Sequence, residues 1–171
     1  MSETLSIDTT ETPPTVSPGT EFLFEARVKL WPQLDVGPGP DGHRVIFFVK
    51  EGTVKGPRLN GIVIPNSGAD WVRRRSDGSS HLDVRFCWKT DDGAVIYVHW
   101  HGRLNCAEAD RAYAYDKSKP DDPAGAYRYY FRTSPEFETG DSRYAWLNNI
   151  VSFTQSRTGD GGVIHRFYGV K

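Results

Sequence analysis

The chain has 171 residues, 37% hydrophobic and 25% charged, enough for one domain with its own core and too few for two of ordinary size. A formal net charge of −1 and a pI near 6.5 leave no surplus of cations for phosphates, which argues against nucleic acid as a partner, and no run approaches the ~20 apolar residues of a membrane-spanning helix. The first twenty residues carry neither the basic cluster nor the apolar stretch of a secretory signal, so a cytoplasmic location is expected; Cys87 and Cys106, without C-x-x-C spacing, predict packed thiols and no structural zinc.

Residues 1–20 are rich in Ser, Thr, Glu and Pro and are expected to be a disordered tail, because they cannot offset the entropy of ordering. From residue 21 to 171, short β-branched and aromatic runs alternate with Asp-Gly and Gly-rich turns, the rhythm of hairpins. The predicted strands cover 22–31, 43–50, 59–65, 69–75, 80–90, 94–102, 127–133, 143–154 and 163–170. Without long helices between them, they predict an all-β domain, a closed antiparallel barrel of about nine or ten strands. The helical candidate, 106–115, precedes a breaker run around Pro120 and Pro123 and would cap one end.

The segment 81–101 holds the most local information, because its turn fixes which side chains share a face. Asp91-Asp92-Gly93 fits a three-residue loop with Gly93 in the left-handed conformation, so Thr90 faces Ala94. Counting outward sets Cys87 opposite Tyr97, Arg85 opposite His99 and Asp83 opposite His101. Val84, Phe86, Trp88, Ile96, Val98 and Trp100 then form an apolar face. His81, Asp83, Arg85, Cys87, Tyr97, His99 and His101 form a polar one. Two arrangements fit. In an ordinary antiparallel sheet the polar face meets water. Alternatively it lines a lumen while the apolar face packs on a second subunit, and its Tyr, His and Cys are unusual for a solvated face.

Three stretches carry a resemblance: Gly56-Pro57-Arg58-Leu59-Asn60-Gly61 through to Asp70-Trp71; Leu82-Asp83-Val84-Arg85-Phe86 through to Ile96-Tyr97-Val98; and Tyr130-Phe131-Arg132-Thr133 through Glu138 to Asn148. Together they resemble the bacterial and fungal family of domain of unknown function 3237, over about residues 21–171. Asn66-Ser67 stands where that family more often has a Gly. The resemblance implies a small closed antiparallel barrel with a pocket and self-association, expected as a homodimer. It also implies that the polar members of the motifs line the pocket: Asp70, Asp83, Arg85, Tyr97, Arg132, Glu138, Tyr144, Trp146 and Asn148.

A barrel with these groups and no nucleotide-binding loop suits proton transfer without a cofactor. Asp83 or Glu138 would act as base, Tyr97 or Tyr144 as acid, and Arg85 or Arg132 would hold a developing oxyanion. Asp70, Trp71, His81, His99, His101, Trp146 and Asn148 would bind the ligand, a small aromatic or polyketide-like molecule suited to 13% aromatic residues. His99 and His101 point the same way, but no Glu stands at cupin spacing, so no metal is expected. The expected reactions are cyclisation by hydroxyl addition to an alkene, isomerisation or elimination. The alternative is a carrier barrel with no chemistry.

Overall fold

The computed structural model describes residues 17–171; the expectation of a disordered tail over residues 1–16 lies outside them. Ten strands form one antiparallel sheet that closes on itself. They are β1 (Thr20–Leu30), β2 (Leu34–Gly39), β3 (Gly42–Lys55), β4 (Asn60–Val63), β5 (Ala69–Arg74), β6 (Ser80–Thr90), β7 (Val95–Asn105), β8 (Tyr130–Glu138), β9 (Ser152–Gly159) and β10 (Gly162–Val170). The long β3 organises the closure. Its outer half pairs with β2 on one side and β5 on the other, and its inner half with β1 and β4. β1 and β2 thus share one position around the wall, β4 and β5 another, and the β1–β10 pairing shuts an eight-position barrel. No helix among the described residues is long and apolar enough to cross a membrane.

The close approach of β1 to β3 depends on Gly52, where a Cβ would overlap the Arg27 carbonyl. The β6–β7 turn has Gly93 at φ +95°, and the register is the one counted from sequence: Asp83 with His101, Arg85 with His99, Cys87 with Tyr97. Asn66 occupies the left-handed region at φ 57°, a conformation Gly adopts freely and Asn tolerates better than most residues.

Two expectations for chain organisation are corrected. Residues 143–149, expected as strand, form most of a 3-10 helix, Ser142–Asn149, whose first turn is fixed by the Asp141 carboxylate accepting from the Arg143 N–H. β2 was not expected, since Gly37, Pro38 and Gly39 read as a loop; it survives as an edge strand pairing only with β3.

The apolar face of the β6–β7 hairpin points inward. Phe86, Trp88, Ile96, Val98 and Trp100 are at most 1% exposed, and with Phe24, Phe137 and Phe167 they plug one end of the barrel. Rings there meet edge-on, as in Phe24–Trp88 at 5.3 Å and Phe86–Trp100 at 5.1 Å. The 3-10 helix covers that plugged end. The opposite end is crossed by the β7–β8 connection, a strap carrying a 3-10 turn (Glu108–Asp110) and the short helices α1 (Arg111–Tyr115) and α2 (Gly125–Arg128).

Candidate functional site at the open end of the barrel

An eight-position barrel has room for side chains and at most one small ligand. Below the strap the packing is incomplete. Two adjoining cavities, of about 30 and 20 Å³, share Leu30, Asp70, Leu82, Phe131 and Val163 as walls. Each has room for about one water. Above them, outside the neck of the barrel, lies an open cleft of about 820 Å³ bordered by His43, Arg74, Arg75, Arg111 and Tyr115, within the range of small-molecule sites. Arg74 and Tyr115 border both the cleft and the larger inner cavity, so they form the neck between them.

Strand alternation places Asp70 inside. It pairs with Phe47 on β3 and Val84 on β6, whose buried side chains share its face, while Trp71 and Arg73 point outward. The Asp70 carboxylate oxygen Oδ1 accepts one hydrogen bond, from the Asp83 backbone N–H at 3.3 Å. Its remaining accessible surface borders the two cavities. Burial pushes its carboxyl up to about 8, against the opposing pull of the Asp83 N–H and the Lys117 charge, so it carries its proton at neutral pH.

Lys117 descends from the strap, its carbonyl accepting from the Gly161 N–H at 2.7 Å and its ammonium lying 3.9 Å from the Phe47 ring centroid. Burial pushes the ammonium down to about 8, opposed by Asp70 and reinforced by the Arg74 charge. Tyr115 Oη and Ser80 Oγ share a hydrogen bond of 2.8 Å at the neck. Deeper in, His165 Nδ1 meets Ser156 Oγ at 2.7 Å, and a chain of hydroxyls continues through Thr154 to Thr133. Burial pushes this imidazole down to about 3, with Arg157 adding to the effect, so His165 is neutral.

The structure separates the residues singled out from sequence. Asp70 alone lines the lumen. Trp71, His81, Asp83, Arg85, Tyr97, His99, His101, Arg132 and Glu138 lie on the outer wall, so the lumen-lining arrangement of the polar hairpin face is corrected, as is the packing of its apolar face on a second subunit. The reason is the hydrophobic effect: two Trp and a Phe from this hairpin bury far more apolar surface inward than the other face would. The outer residues do form a cluster. Asp83 Oδ1 lies 3.2 Å from the Arg85 guanidinium, 3.6 Å from His99 Nε2 and 4.0 Å from His101 Nδ1. Asp83, His99 and His101 thus bring three possible metal ligands together, but the guanidinium of Arg85 already supplies a cation at the shared oxygen.

Tyr144, Trp146 and Asn148 belong to the cap of the plugged end. Tyr144 donates to Asp92, Trp146 lies 3.7 Å under the Arg58 guanidinium, and Asn148 exchanges two hydrogen bonds with the Thr139 backbone. Sequence reasoning missed Arg74, Tyr115, Lys117 and His165. Alternation from Asp70 places Arg74 on the same face, and His165 falls on the buried face of β10 with Val163 and Phe167, so both were recoverable. Tyr115 and Lys117 sit at and beyond the end of a five-residue helix, where no periodicity reports direction.

A UPF0311 protein of Rhodopseudomonas palustris is 35% identical over 129 residues, 75% of this chain and 80% of that protein. The crystal structure of a conserved protein of unknown function from the same species superposes with a TM-score of 0.83 at 28% identity, over 92% of this chain and all of the other. More distantly, a protein of Penicillium herquei named as the hydroalkoxylation enzyme phnH is 24% identical over 136 residues, 80% of this chain and 72% of that protein. The profile of the family described as protein of unknown function (DUF3237) matches residues 18–170, nearly the whole described barrel, and the chain belongs to that family.

Proposed function

We propose that this protein is a cofactor-independent enzyme that takes a small aromatic or polyketide-like molecule through the cleft and transfers a proton to it inside the barrel, with Asp70 as the acid. The observation that carries this reading is an inward-facing carboxyl group, shifted by burial toward its protonated form, on a cavity directly below a ligand-sized cleft. The 24% identical relative named for hydroalkoxylation, the addition of an O–H across a double bond, supports the reaction class.

In that reaction the alkene π pair takes the Asp70 proton and forms a C–H bond. The hydroxyl oxygen of the same molecule bonds to the electron-poor carbon, and its proton passes to the Asp70 carboxylate, restoring the acid. Nothing is oxidised or lost, so the product is an isomer of the substrate. Lys117 stabilises the transient carboxylate. The cavities below the neck are too small for a substrate as they stand, so productive binding requires the neck to widen.

The test incubates the protein in D2O with phenols bearing an alkenyl side chain ortho to the hydroxyl. A cyclic ether carrying one deuterium on carbon is expected, with turnover lost at least ~100-fold in Asp70→Asn. Asp83→Asn and Tyr97→Phe on the outer wall should keep it. Binding of these phenols without any turnover would overturn the enzymatic reading in favour of a carrier barrel.

A further inference from the structure

We infer that the molecule admitted to the barrel carries an oxyanion, as an aromatic carboxylate or an ionised phenol, and that this group docks between Arg74 and Lys117 at the neck. The inference rests on the reading of the barrel mouth as a ligand site and names the class of ligand it takes.

Most cations at this end are already neutralised. His43 meets Asp35 at 2.6 Å, Arg111 meets Glu108 at 2.8 Å and Arg75 reaches Asp77 at 4.0 Å. Arg74 and Lys117 have no such partner. The Arg74 guanidinium donates to the neutral amide of Gln33 at 3.1 Å and lies 5.6 Å from the Tyr115 ring, and the Lys117 ammonium rests on Phe47. Both border the same 30 Å³ cavity, close enough that the charge of Arg74 disfavours the charge of Lys117. Asp70, the one carboxyl on that cavity, forms no ion pair with either, and burial shifts it toward its uncharged form.

Two half-buried cations that border one cavity, neither of them in an ion pair, form an incomplete site. An oxyanion placed between them accepts a charge-assisted hydrogen bond from each and can accept one more from protonated Asp70. The planar guanidinium suits a carboxylate or phenolate oxygen. Phe47 and Phe131 on the cavity wall and the Tyr115 ring at the neck supply apolar surface for a flat ligand body.

Isothermal titration of the full chain at pH 7 with 2-naphthoate, methyl 2-naphthoate and 2-naphthol tests this directly. The naphthoate is expected to bind at least ~10-fold more tightly than its ester. Arg74→Gln and Lys117→Gln should each weaken the naphthoate ~10-fold or more and the ester by clearly less, with Arg74→Lys recovering part of the naphthoate's loss. Proton release on binding 2-naphthol, read from the dependence of the heat on buffer, would identify phenolate as an accepted source. Weaker binding without release would leave carboxylate as the source. Equal affinity for acid and ester overturns the anion inference while leaving the mouth as a ligand site. Failure of all three to bind overturns both.

Discussion

His165 and Asp70 face the same cavity, yet burial moves them in opposite senses, and each leaves a distinct mark on stability. The folded imidazole of His165 titrates at about 3 against an ordinary 6.5, so between these values the unfolded chain binds the proton and the folded one does not. Its contribution is fully present above pH 6.5 and is lost as pH falls toward 3, by a few kcal/mol. Asp70 runs the other way. Its folded carboxyl holds a proton up to about 8 where the unfolded one ionises at 3.8, so stability declines as pH rises through that interval. Urea unfolding across pH 4 to 8 should show Asp70→Asn more stable than the parent at pH 8, with the gap closing toward pH 4. His165→Gln should flatten the acid side. Parallel pH profiles for Asp70→Asn and the parent would contradict the buried acid. At this scale the sequence was half legible: Asp70 was identified by motif, but its inward direction and its companions depended on which wall of the strand the core occupies.

Among the elements, the strap decides access to the chamber, and one ion network ties it down. Arg157 on β9, 1% exposed at its side chain, makes a bidentate contact with Asp121 at 2.5 and 2.8 Å, and Arg27 on β1 reaches the same carboxylate at 2.9 Å. Asp121→Asn would leave Glu25, at 3.5 Å, as the one charged partner of the buried guanidinium, a loss on the order of 3 kcal/mol. The expected outcome is faster amide exchange over residues 106–129 with the β6–β7 hairpin still protected, and uniform acceleration across the barrel would contradict the strap as a separate unit. The hairpin itself was readable in full, because a turn with a glycine at φ > 0 fixes register. Residues 143–149 were not. Their large side chains suggest a strand, but Leu147 is the only fully buried one and the segment turns over the barrel end as a 3-10 helix.

At the scale of the whole molecule, turn spacing and the family resemblance were enough to read a closed barrel. Alternation along a strand separates two faces but does not say which one a closed sheet turns inward. The polar face of β6 and β7 concentrates His, Tyr, Arg and Asp, yet it stands on the outer wall, with the ring of aromatic side chains behind it sealing that end. The end with the cavities is set instead by three pieces distant in sequence: β3 with β5, the strap, and β10. Only closure brings them together.

The most direct test of the central claim, a protonated Asp70 inside the barrel, is an NMR titration of the carboxyl carbon of Asp70 in the parent protein, assigned by its loss in Asp70→Asn. A midpoint near 8 is the predicted result. A midpoint at the ordinary value of 3.8 would contradict the claim, because a carboxylate ionised at neutral pH would neutralise Lys117 and could not serve as the acid.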